Sequence, residues 1–370
     1  MADKLSVAIA AGGTAGHINP ALALAEELRA RGHEAAFFGQ ARRLEGTLVP
    51  QAGFELTSLN VTGFDRSRPW TLVTALVRMR LAERQLSRHF AQVGAPDVAV
   101  GFGAYIELPL MRWCARRGIP YVLHEQNSVP GLANKTSAAK AATVCVSFPA
   151  ALDAFEGVKK CVVTGNPVRR SVVDASREEG RAAFGIADDE TMLLVFGGSL
   201  GARHLNEGVV ALKDELLSRE GLRIVHSTGK ELFDEVQGQL CLSEQEAARW
   251  QVRPYIDNMG QALAAADLVL SRAGASSIAE IAALAVPSML VPYPLATADH
   301  QTTNARYLVD EGAAVMVADD AIDTPAFAQE LLRLVDDADE RERMRTRARG
   351  LAQDQAASVL ADEVEAVAHK

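Results

Sequence analysis

Residues 5–25 read LSVAIAAGGTAGHINPALALA, a short apolar run that breaks into a glycine-rich turn and resumes with helical spacing. A second segment of this kind, MLLVFGGSLGA, lies at residues 192–202. Glycines at such a turn let backbone N–H groups face outward at a helix N-terminus, where the helix dipole favours a phosphate or another anion. The two segments predict two nucleotide-binding-type domains that face each other across a cleft, the architecture of an enzyme.

The bulk composition narrows the class of protein. A length of 370 residues exceeds one ordinary core, and 48% hydrophobic with only 5% aromatic residues is typical of an α/β protein with parallel strands. The sequence has no apolar run of about 18 residues that would span a membrane and no signal-peptide pattern. Its four cysteines lack CxxC spacing, so neither a zinc site nor a disulfide framework is indicated. These features predict a cytoplasmic location.

Apolar segments alternate with helical segments along the chain, which predicts right-handed βαβ units and two parallel sheets. The predicted strands of the first half are residues 5–10, 35–38, 54–60, 98–101, 121–124, 143–147 and 161–164. Those of the second half are residues 191–196, 222–227, 251–254, 268–271, 288–291 and 314–317. Glycine, asparagine and proline at residues 165–167 indicate a domain boundary. We therefore expect an N-terminal domain, a C-terminal domain and a final helix that packs back on the first domain, at residues 1–165, 166–345 and 346–370, respectively.

The net charge of −9 conceals an asymmetry between the two halves. Residues 1–165 carry 18 Lys or Arg against 13 Asp or Glu, whereas the remainder carries 20 against 34. Nine arginines and only three acidic residues fall within residues 66–117. Such a concentrated basic region indicates a partner of opposite charge and does not bear on the fold.

Dinucleotide-binding enzymes use the same glycine turn, but they also need an acidic residue at the end of the second strand, about 20 residues on. Here that strand ends at Phe38 and continues into Gly39 and Gln40, so the acid is missing. An NAD-dependent oxidoreductase is therefore the weakest interpretation. His17, at the mouth of the first turn, suits a base or a phosphate contact, although simple capping of backbone groups is equally compatible with it.

The most specific stretch of the second half is AADLVLSRAGASSIAE at residues 265–280. A buried strand ends within it, and a turn follows whose amides and Arg272 suit a diphosphate. Glu280, in the next helix, suits the two hydroxyls of a ribose, and the polar residues 299–305 suit the hydroxyls of a sugar. These groups all follow parallel strands, at the edge where open α/β sheets bind ligands, so together they favour a binding site.

With these motifs the chain resembles the MurG family of peptidoglycan glycosyltransferases over nearly its whole length. The matching motifs are residues 12–17, 101–105, 124–127, 165–169, 197–202, 227–230, 272–280, 300–301 and 304–305. The resemblance implies a GT-B fold, an α/β architecture of two Rossmann-like domains whose parallel sheets face each other across a cleft. It also implies an inverting transfer of GlcNAc from UDP-GlcNAc to the 4-hydroxyl of MurNAc in undecaprenyl-linked lipid I, which gives lipid II for peptidoglycan synthesis.

The resemblance further implies roles for individual residues. The implied donor-binding residues are Thr14, Gly16, Asn127, Arg169, Ser199, Arg272, Gly274, Ala275, Glu280, His300 and Gln301. Gly13, Tyr105 and Asn134 belong to the acceptor side. The attacking hydroxyl must lose a proton, and both His17 and Glu125 are candidates for its base.

Aromatic, apolar and basic residues on two predicted helices suit docking on an anionic lipid surface. They are Trp70, Leu76, Arg80, Arg84 and Trp113. For either helix alone, an ordinary core with a solvated arginine face is the alternative. With a lipid-borne acceptor implied, we expect a peripheral protein on the cytoplasmic face of the cell membrane. Its expected partners are UDP-GlcNAc, lipid I, the anionic membrane surface and other cell-wall synthesis proteins.

We expect no cofactor and no metal, because a diphosphate leaving group needs fixed N–H dipoles and an arginine more than it needs an acid. The DxD-like string at residues 337–339 has no strand before it and indicates a solvated surface. Nucleic acid is not an expected partner, since no recognition motif is present. Two other hypotheses stay open: another GT-B transferase or a UDP-sugar epimerase, and a non-catalytic nucleotide-binding or cell-wall scaffold protein.

Overall fold

The computed structural model describes residues 4–63, 70–198 and 201–369. The chain divides into an N-terminal unit, Met1–Arg169 with Gln355–Lys370, and a C-terminal unit, Arg170–Asp354. Among the described residues, no helix is long and apolar enough to cross a bilayer.

The N-terminal unit is a parallel sheet with helices on both faces. Its strands are β1 (Ser6–Ala10), β2 (Glu34–Gly39), β3 (Leu56–Ser58), β4 (Val98–Gly101), β5 (Tyr121–Glu125), β6 (Thr143–Val146) and β7 (Cys161–Val163). Its helices are α1 (Ala15–Ala30), α2 (Glu45–Gln51), α3 (Thr71–Val93), α4 (Glu107–Arg117), α5 (Leu132–Ser137) and the C-terminal helix (Ala356–Ala368), with 3₁₀ turns at Ala138–Lys140 and Pro149–Phe155. The strand order is β3-β2-β1-β4-β5-β6-β7.

Both faces of this sheet are buried, because successive residues of a strand point to opposite faces. Val7 and Ile9 share a core with apolar residues of α1 and the C-terminal helix. Ala8 and Ala10 share a second core with apolar residues of α3 and α4. This two-sided burial explains why the strands are almost continuously apolar in the sequence.

The C-terminal unit repeats the design. Its strands are β8 (Thr191–Phe196), β9 (Leu222–Ser227), β10 (Trp250–Arg253), β11 (Leu268–Ser271), β12 (Ser288–Leu290) and β13 (Ala314–Met316). The helices are α6 (Arg170–Val173), α7 (Arg177–Phe184), α8 (Arg203–Val210), α9 (Lys213–Leu217), α10 (Phe233–Leu240), α11 (Glu244–Ala247), α12 (Met259–Ala265), α13 (Ala275–Ala283), α14 (His300–Val309), α15 (Pro325–Asp336) and α16 (Ala338–Arg349), with 3₁₀ turns at Thr297–Asp299 and Asp319–Ala321. The parallel strands lie in the order β10-β9-β8-β11-β12-β13.

Each sheet reverses its strand order at its first strand, β1 or β8. The loops that leave the carboxyl ends of these strands therefore lie at a switch point, where open α/β sheets form a ligand crevice. The turn after β1 is the first predicted glycine turn, and the second follows β8. The predicted strands are confirmed, each with bounds within two residues of those observed.

A charged contact around Arg31 holds the C-terminal helix against the N-terminal unit. Arg31 Nη1 donates to Asp362 Oδ1 at 2.6 Å and to Glu365 Oε1 at 3.1 Å. Its Nη2 donates to the carbonyl and hydroxyl oxygens of Ser358 at 3.0 and 2.6 Å. His33 Nε2 lies 3.0 Å from Glu365 Oε1. The helix is thus fixed by polar bonds at the edge of an apolar contact.

Replacing Arg31 by alanine is expected to lower the free energy of unfolding by about 2 kcal/mol, because several charge-assisted hydrogen bonds are lost together. Lys4→Ala is the matched control. Lys4 pairs with Glu34 in a salt bridge whose side chains are 62% and 68% exposed, so its loss should cost less than about 1 kcal/mol. Urea unfolding of the two variants measures the difference, and equal losses would contradict the anchoring role of Arg31.

Candidate functional site

The glycine turn after β1 rests on a buried carboxylate that sequence reasoning missed. Glu45, the first residue of α2, accepts from Gly13 N at 3.2 Å and from Gln40 N at 3.0 Å. A Cβ atom at Gly12 would collide with this carboxyl group, and Gly13 has a φ of +92°. Both glycines are therefore required for the turn to close over Glu45. A single acidic residue at the start of a short helix carries no sequence pattern that reveals such a contact.

His17 lies in the first turn of α1, half-buried beside the residue that precedes the helix. Its Nδ1 is 3.0 Å from the hydroxyl oxygen of Thr14. With hydrogen on Nδ1, this bond leaves the lone pair of the neutral ring on Nε2. That tautomer is the one that accepts a proton through Nε2.

Tyr105 is held by Gln40, which lies at the carboxyl edge of the N-terminal sheet. Its hydroxyl donates to Gln40 Oε1 at 2.9 Å, and Gln40 Nε2 donates to the carbonyl of Val61 at 2.6 Å. Gln40 follows β2 and also donates its backbone N–H to Glu45. The structure therefore brings Tyr105 and the first glycine turn into one hydrogen-bonded group.

Glu125, the last residue of β5, is buried and accepts four hydrogen bonds. Its Oε1 accepts from the backbone and side-chain nitrogens of Asn127 at 3.0 and 3.4 Å. Its Oε2 accepts from Gly131 N at 3.0 Å and from Asn134 Nδ2 at 2.8 Å. Because both oxygens are already engaged, the geometry suits a role in positioning the loop of residues 127–134.

The turn after β8 is held by a buried network. Ser199 lies outside the described residues, so its contact with a diphosphate stays a prediction. Gly201 packs so closely on the carbonyl of Thr228 that a Cβ atom would collide with it. Asn206 donates to that carbonyl at 3.0 Å, and its Oδ1 lies 3.0 Å from Nε2 of His226. Burial lowers the pKa of His226 to about 3, so its ring is neutral and donates through Nε2.

Arg272 is buried at the end of β11 and engaged on several sides. Its Nη1 donates to the carbonyls of Val291 and Pro292, both at 3.2 Å. It also lies 2.5 Å from Oδ1 of Asp319. Arg272 thus links the carboxyl ends of β11 and β12 to the segment after β13.

His204 extends this network, and neither it nor Asp319 was predicted from the sequence. Its Nδ1 lies 2.9 Å from Asp319 Oδ2, and its Nε2 lies 3.1 Å from Asp323 Oδ2. Carboxylates only accept, so both bonds require the doubly protonated ring, and the bond to Asp319 is the main cause of a raised pKa for His204. Burial opposes ionisation of Asp319, but His204 and Arg272 outweigh it and keep the pKa of Asp319 below its usual range.

Gln301 joins two loops of the predicted sugar site. Its Oε1 accepts from Ala273 N at 3.2 Å and from Tyr293 N at 2.9 Å. The amide nitrogen of Gln301 is then the group that suits donation to a ligand. His300 Nδ1 donates to the carbonyl of Thr297 at 2.8 Å, which leaves the lone pair of a neutral His300 ring on Nε2.

The remaining donor candidates divide between the two units. Gly274 and Ala275 form the start of α13, and Glu280 lies partly exposed on the same helix. Arg169, together with Thr14, Gly16 and Asn127, belongs to the N-terminal unit. The guanidinium of Arg169 donates to Oε1 of Glu26 through two nitrogens, at 2.7 and 3.0 Å.

The first half of α3 presents an apolar face to solvent. The large apolar residues exposed along it are Trp70, Leu72, Val73, Leu76, Val77 and Leu81. Arg80 and Arg84 are exposed beside them. The prediction was wrong for Trp113, which is 3% exposed: its ring packs on Phe90 and its Nε1 donates to Ser87 at 3.0 Å.

Within the described part of the chain, no group of three His, Cys, Asp or Glu side chains has metal-binding geometry. In the DxD-like string, Asp337 accepts from Glu340 N at 2.8 Å and so caps α16. Its carboxylate therefore has a local structural role.

Two sheets with this shared strand order, each with a glycine turn at its switch point, define the GT-B class of proteins. A crystal structure of MurG from Acinetobacter baumannii has this fold. It matches with a TM-score of 0.74 and 29% identity, covering 98% of this chain and 100% of that chain.

The sequence places the chain more narrowly. Residues 7–146 match the Glycosyltransferase family 28 N-terminal domain, and residues 192–363 match the Glycosyltransferase family 28 C-terminal domain. The UDP-N-acetylglucosamine–N-acetylmuramyl-(pentapeptide) pyrophosphoryl-undecaprenol N-acetylglucosamine transferase of Moorella thermoacetica is 41% identical, covering 85% of this chain and 86% of its own length. The protein of the same name from Halothermothrix orenii is 36% identical over 96% of both chains. This chain belongs to glycosyltransferase family 28.

Proposed function

We propose that this chain transfers GlcNAc from UDP-GlcNAc to the 4-hydroxyl of MurNAc in undecaprenyl-linked lipid I, with inversion at the sugar, and so forms lipid II for peptidoglycan synthesis. The observation that carries the proposal is 36% identity over 96% of both chains to a transferase whose name states this donor and this acceptor. The glycine turns and the polar groups at the carboxyl edges of both sheets support it.

The C-terminal unit binds the donor in this proposal. UDP leaves as a diphosphate, so the N–H groups of the turn around Ser199 and of Gly274 and Ala275 stabilise its developing charge. Glu280 accepts from the ribose hydroxyls. The amide nitrogen of Gln301 donates to a hydroxyl of GlcNAc, since its Oε1 is already used by two backbone N–H groups.

Two arginines take different roles. Arg272 shapes the donor turn from within, because its guanidinium is occupied by Asp319 and two carbonyls. Arg169 contacts the diphosphate. To do so, its guanidinium must give up its two hydrogen bonds to Glu26. His300 presents Nε2 to a hydroxyl of the sugar.

The N-terminal unit binds the acceptor, and His17 is the base. Its Nδ1 is held by Thr14, and in the tautomer with hydrogen on Nδ1 the lone pair on Nε2 takes the proton of the attacking hydroxyl. Glu125 positions the loop that carries Asn127 and Asn134 through four hydrogen bonds. The backbone amides near Gly13 face the acceptor diphosphate.

Transfer of labelled GlcNAc to a water-soluble lipid I analogue tests the proposal. We expect labelled product from UDP-GlcNAc, and little competition from unlabelled UDP-GalNAc, because its 4-hydroxyl has the opposite configuration. A characterised family member is assayed in parallel with the same acceptor. If that enzyme forms product and this chain does not, the proposal is overturned. Equal competition by UDP-GalNAc would overturn the assignment of the donor.

The exposed face of α3 docks on the cytoplasmic surface of the cell membrane, where the acceptor's polyprenyl chain is anchored. Apolar side chains such as Trp70 and Leu76 insert between lipids, and Arg80 and Arg84 pair with anionic headgroups. This surface also brings the enzyme to other cell-wall synthesis proteins.

Reversing the charge of Arg80, Arg84 and Arg88 to glutamate is expected to weaken binding to anionic vesicles by at least about a hundred-fold, since each basic residue contributes about 1 kcal/mol. Activity on a short-chain soluble acceptor should be retained. Reversal of Arg333, Arg343 and Arg349, exposed residues of the C-terminal unit, is the matched control. If both triple variants lose vesicle binding equally, the effect comes from the net charge of the protein, and α3 is not the docking surface.

A further inference from the structure

Glu107, the first residue of α4, is completely buried against the turn that follows β4. Its Oε2 accepts from Gly103 N at 2.6 Å. A Cβ atom at Gly101 would lie 2.5 Å from the same oxygen, and Gly103 has a φ of +85°. The backbone of residues 101–103 is therefore wrapped around this carboxyl group, and Tyr105 lies two residues further along the chain.

The surroundings of Glu107 satisfy only part of its carboxyl group. Its Oε1 is buried and, among the described residues, has no hydrogen-bond partner. The same holds for Oε1 of Gln126 and Oδ1 of Asn134, both of which border Gly103. Buried acceptors are rarely left unpaired. A proton on Glu107 would remove one of these unpaired acceptors, because a protonated carboxyl oxygen donates instead of accepting.

A second buried carboxyl, Glu125, acts on the same group. Glu125 accepts four N–H bonds, whereas Glu107 accepts one from a backbone amide. When two buried carboxyls interact, the less solvated one keeps its proton. Burial raises the pKa of Glu107 to about 8; the Gly103 amide opposes this, and the charge of Glu125 adds to it.

Each element around Glu107 contributes a polar or titratable group. Strand β5 places Tyr121 and Glu125 near it, and α5 contributes Asn134 and Ser137. The Ser137 hydroxyl favours the ionised form of Glu107, but to a smaller extent than burial disfavours it. Ionisation of Glu107 would therefore place a second negative charge beside Glu125.

We propose that Glu107 is a positioning residue that is protonated in the active enzyme, and that its loss of a proton in alkaline solution releases the turn that presents Tyr105 to the acceptor. This inference rests on the proposed function. The neutral carboxyl fits under residues 101–105 without a second buried charge beside Glu125, so the acceptor step needs the neutral form, whereas donor binding by the C-terminal unit does not.

The sign of the pH dependence follows from the raised pKa. Between the ordinary pKa of 4.5 and about 8, the unfolded chain has released a proton that the folded chain keeps, so this group makes the fold less stable as pH rises through that interval. Above about pH 8 the folded carboxyl ionises as well, and the acceptor turn loosens.

Glu107→Gln mimics the neutral acid and is the decisive variant. With a soluble lipid I analogue, kcat/KM of the wild-type chain for the acceptor should fall about tenfold per pH unit above the pKa, and E107Q should hold its value over the same interval. Glu107→Ala should lower kcat/KM for the acceptor about tenfold already at pH 7, while KM for the donor stays within twofold. Wild-type and E107Q profiles that superimpose would overturn the proposal.

Glu83→Gln is the matched control, because Glu83 is a buried acid of the same unit that is paired with Arg112 and Arg116. It should keep the alkaline decline of the wild-type chain. If E107Q does not fold, the protonation of Glu107 is tested by ¹³C NMR titration of labelled glutamate in the wild-type chain. We expect the signal of one buried carboxyl group that is still protonated at pH 7, and its absence would overturn the proposal. Absence of GlcNAc transfer at every pH would instead overturn the proposed function.

Discussion

Replacing His17 by alanine is expected to lower kcat for GlcNAc transfer by about 10²- to 10⁴-fold, the contribution typical of a positioned general base. The affinity for UDP-GlcNAc should stay within a few-fold, because the donor contacts proposed above do not involve His17 and come mainly from the C-terminal unit, among them Gly274, Ala275 and Gln301. Turnover with the soluble acceptor and calorimetric binding of the donor separate these two effects. A variant with near-normal kcat would remove His17 from the proton transfer.

Thr14 provides a graded control for this result. Its hydroxyl lies 3.0 Å from Nδ1 of His17 and holds the ring in its orientation. Thr14→Ser keeps the hydroxyl and should keep most of the activity, whereas Thr14→Ala should lower kcat about tenfold through loss of orientation. If both variants lose activity equally, the side chain acts by packing and the proposed orientation of His17 is wrong.

Glu125 remains the competing candidate for the base, and its variants behave differently under the two assignments. As a positioning residue that accepts four N–H bonds, Glu125 should be intolerant of Glu125→Gln, because the amide nitrogen cannot accept from Asn127, Gly131 or Asn134. The expected signature is a lower thermal stability together with a higher KM for the acceptor. Loss of kcat alone, with normal stability and KM, would favour Glu125 as the base.

The fold was predictable because its signal is local. A strand buried on both faces must be apolar at every position, and a turn at a switch point needs glycine, so β1 and β8 were visible in the sequence with their turns. The edges were less accurate: β3 spans Leu56–Ser58, whereas the apolar pattern extends over residues 54–60. Phe54 and Leu59 are buried core residues that flank this strand, and apolarity alone does not separate them from it.

The site was predictable only where function and sequence motif coincide. Arg272 and Glu280 lie in one motif, but the acid that pairs with Arg272 is Asp319, which is 47 residues away along the chain. Glu45 likewise lies 32 residues along the chain from Gly13, whose backbone N–H donates to its carboxylate. Ion pairs of this kind depend on tertiary packing, and a single acidic residue has the same appearance in a sequence whether it is solvated or buried.

Trp113 and Trp70 illustrate the same limit on the surface prediction. Both tryptophans lie near arginines and on or beside a helix, yet Trp70 is 69% exposed and Trp113 is 3% exposed. The difference arises because α4 turns Trp113 toward α3, where it meets Phe90, while Arg112 and Arg116 of α4 pair with Glu83. Helical spacing indicates which residues share a face, but it does not tell which neighbour covers that face.

Replacing Asp319 by alanine is expected to lower the free energy of unfolding by about 3 kcal/mol, because it leaves the guanidinium of Arg272 buried without its carboxylate. The affinity for UDP should fall with it, since Arg272 holds the turn that precedes Gly274. Asp323→Ala is the matched control: Asp323 binds the same histidine through its other ring nitrogen, but its side chain is 77% exposed. Its loss should cost less than about 1 kcal/mol and leave UDP affinity unchanged.

The effect of Asp319→Ala should also depend on pH through His204. The pKa of His204 is raised above 6.5 in the folded chain, chiefly by its hydrogen bond to Asp319. This contribution to stability is complete below the ordinary pKa and is lost as the pH rises through the raised value. The destabilisation measured by urea unfolding should therefore shrink toward alkaline pH, down to the part that belongs to Arg272. The destabilisation is therefore compared below pH 6.5 and above the raised pKa of His204. If it is the same at both, His204 is neutral in the folded chain. Its contact with Asp319 is then an ordinary hydrogen bond to a carboxylate that Arg272 already holds.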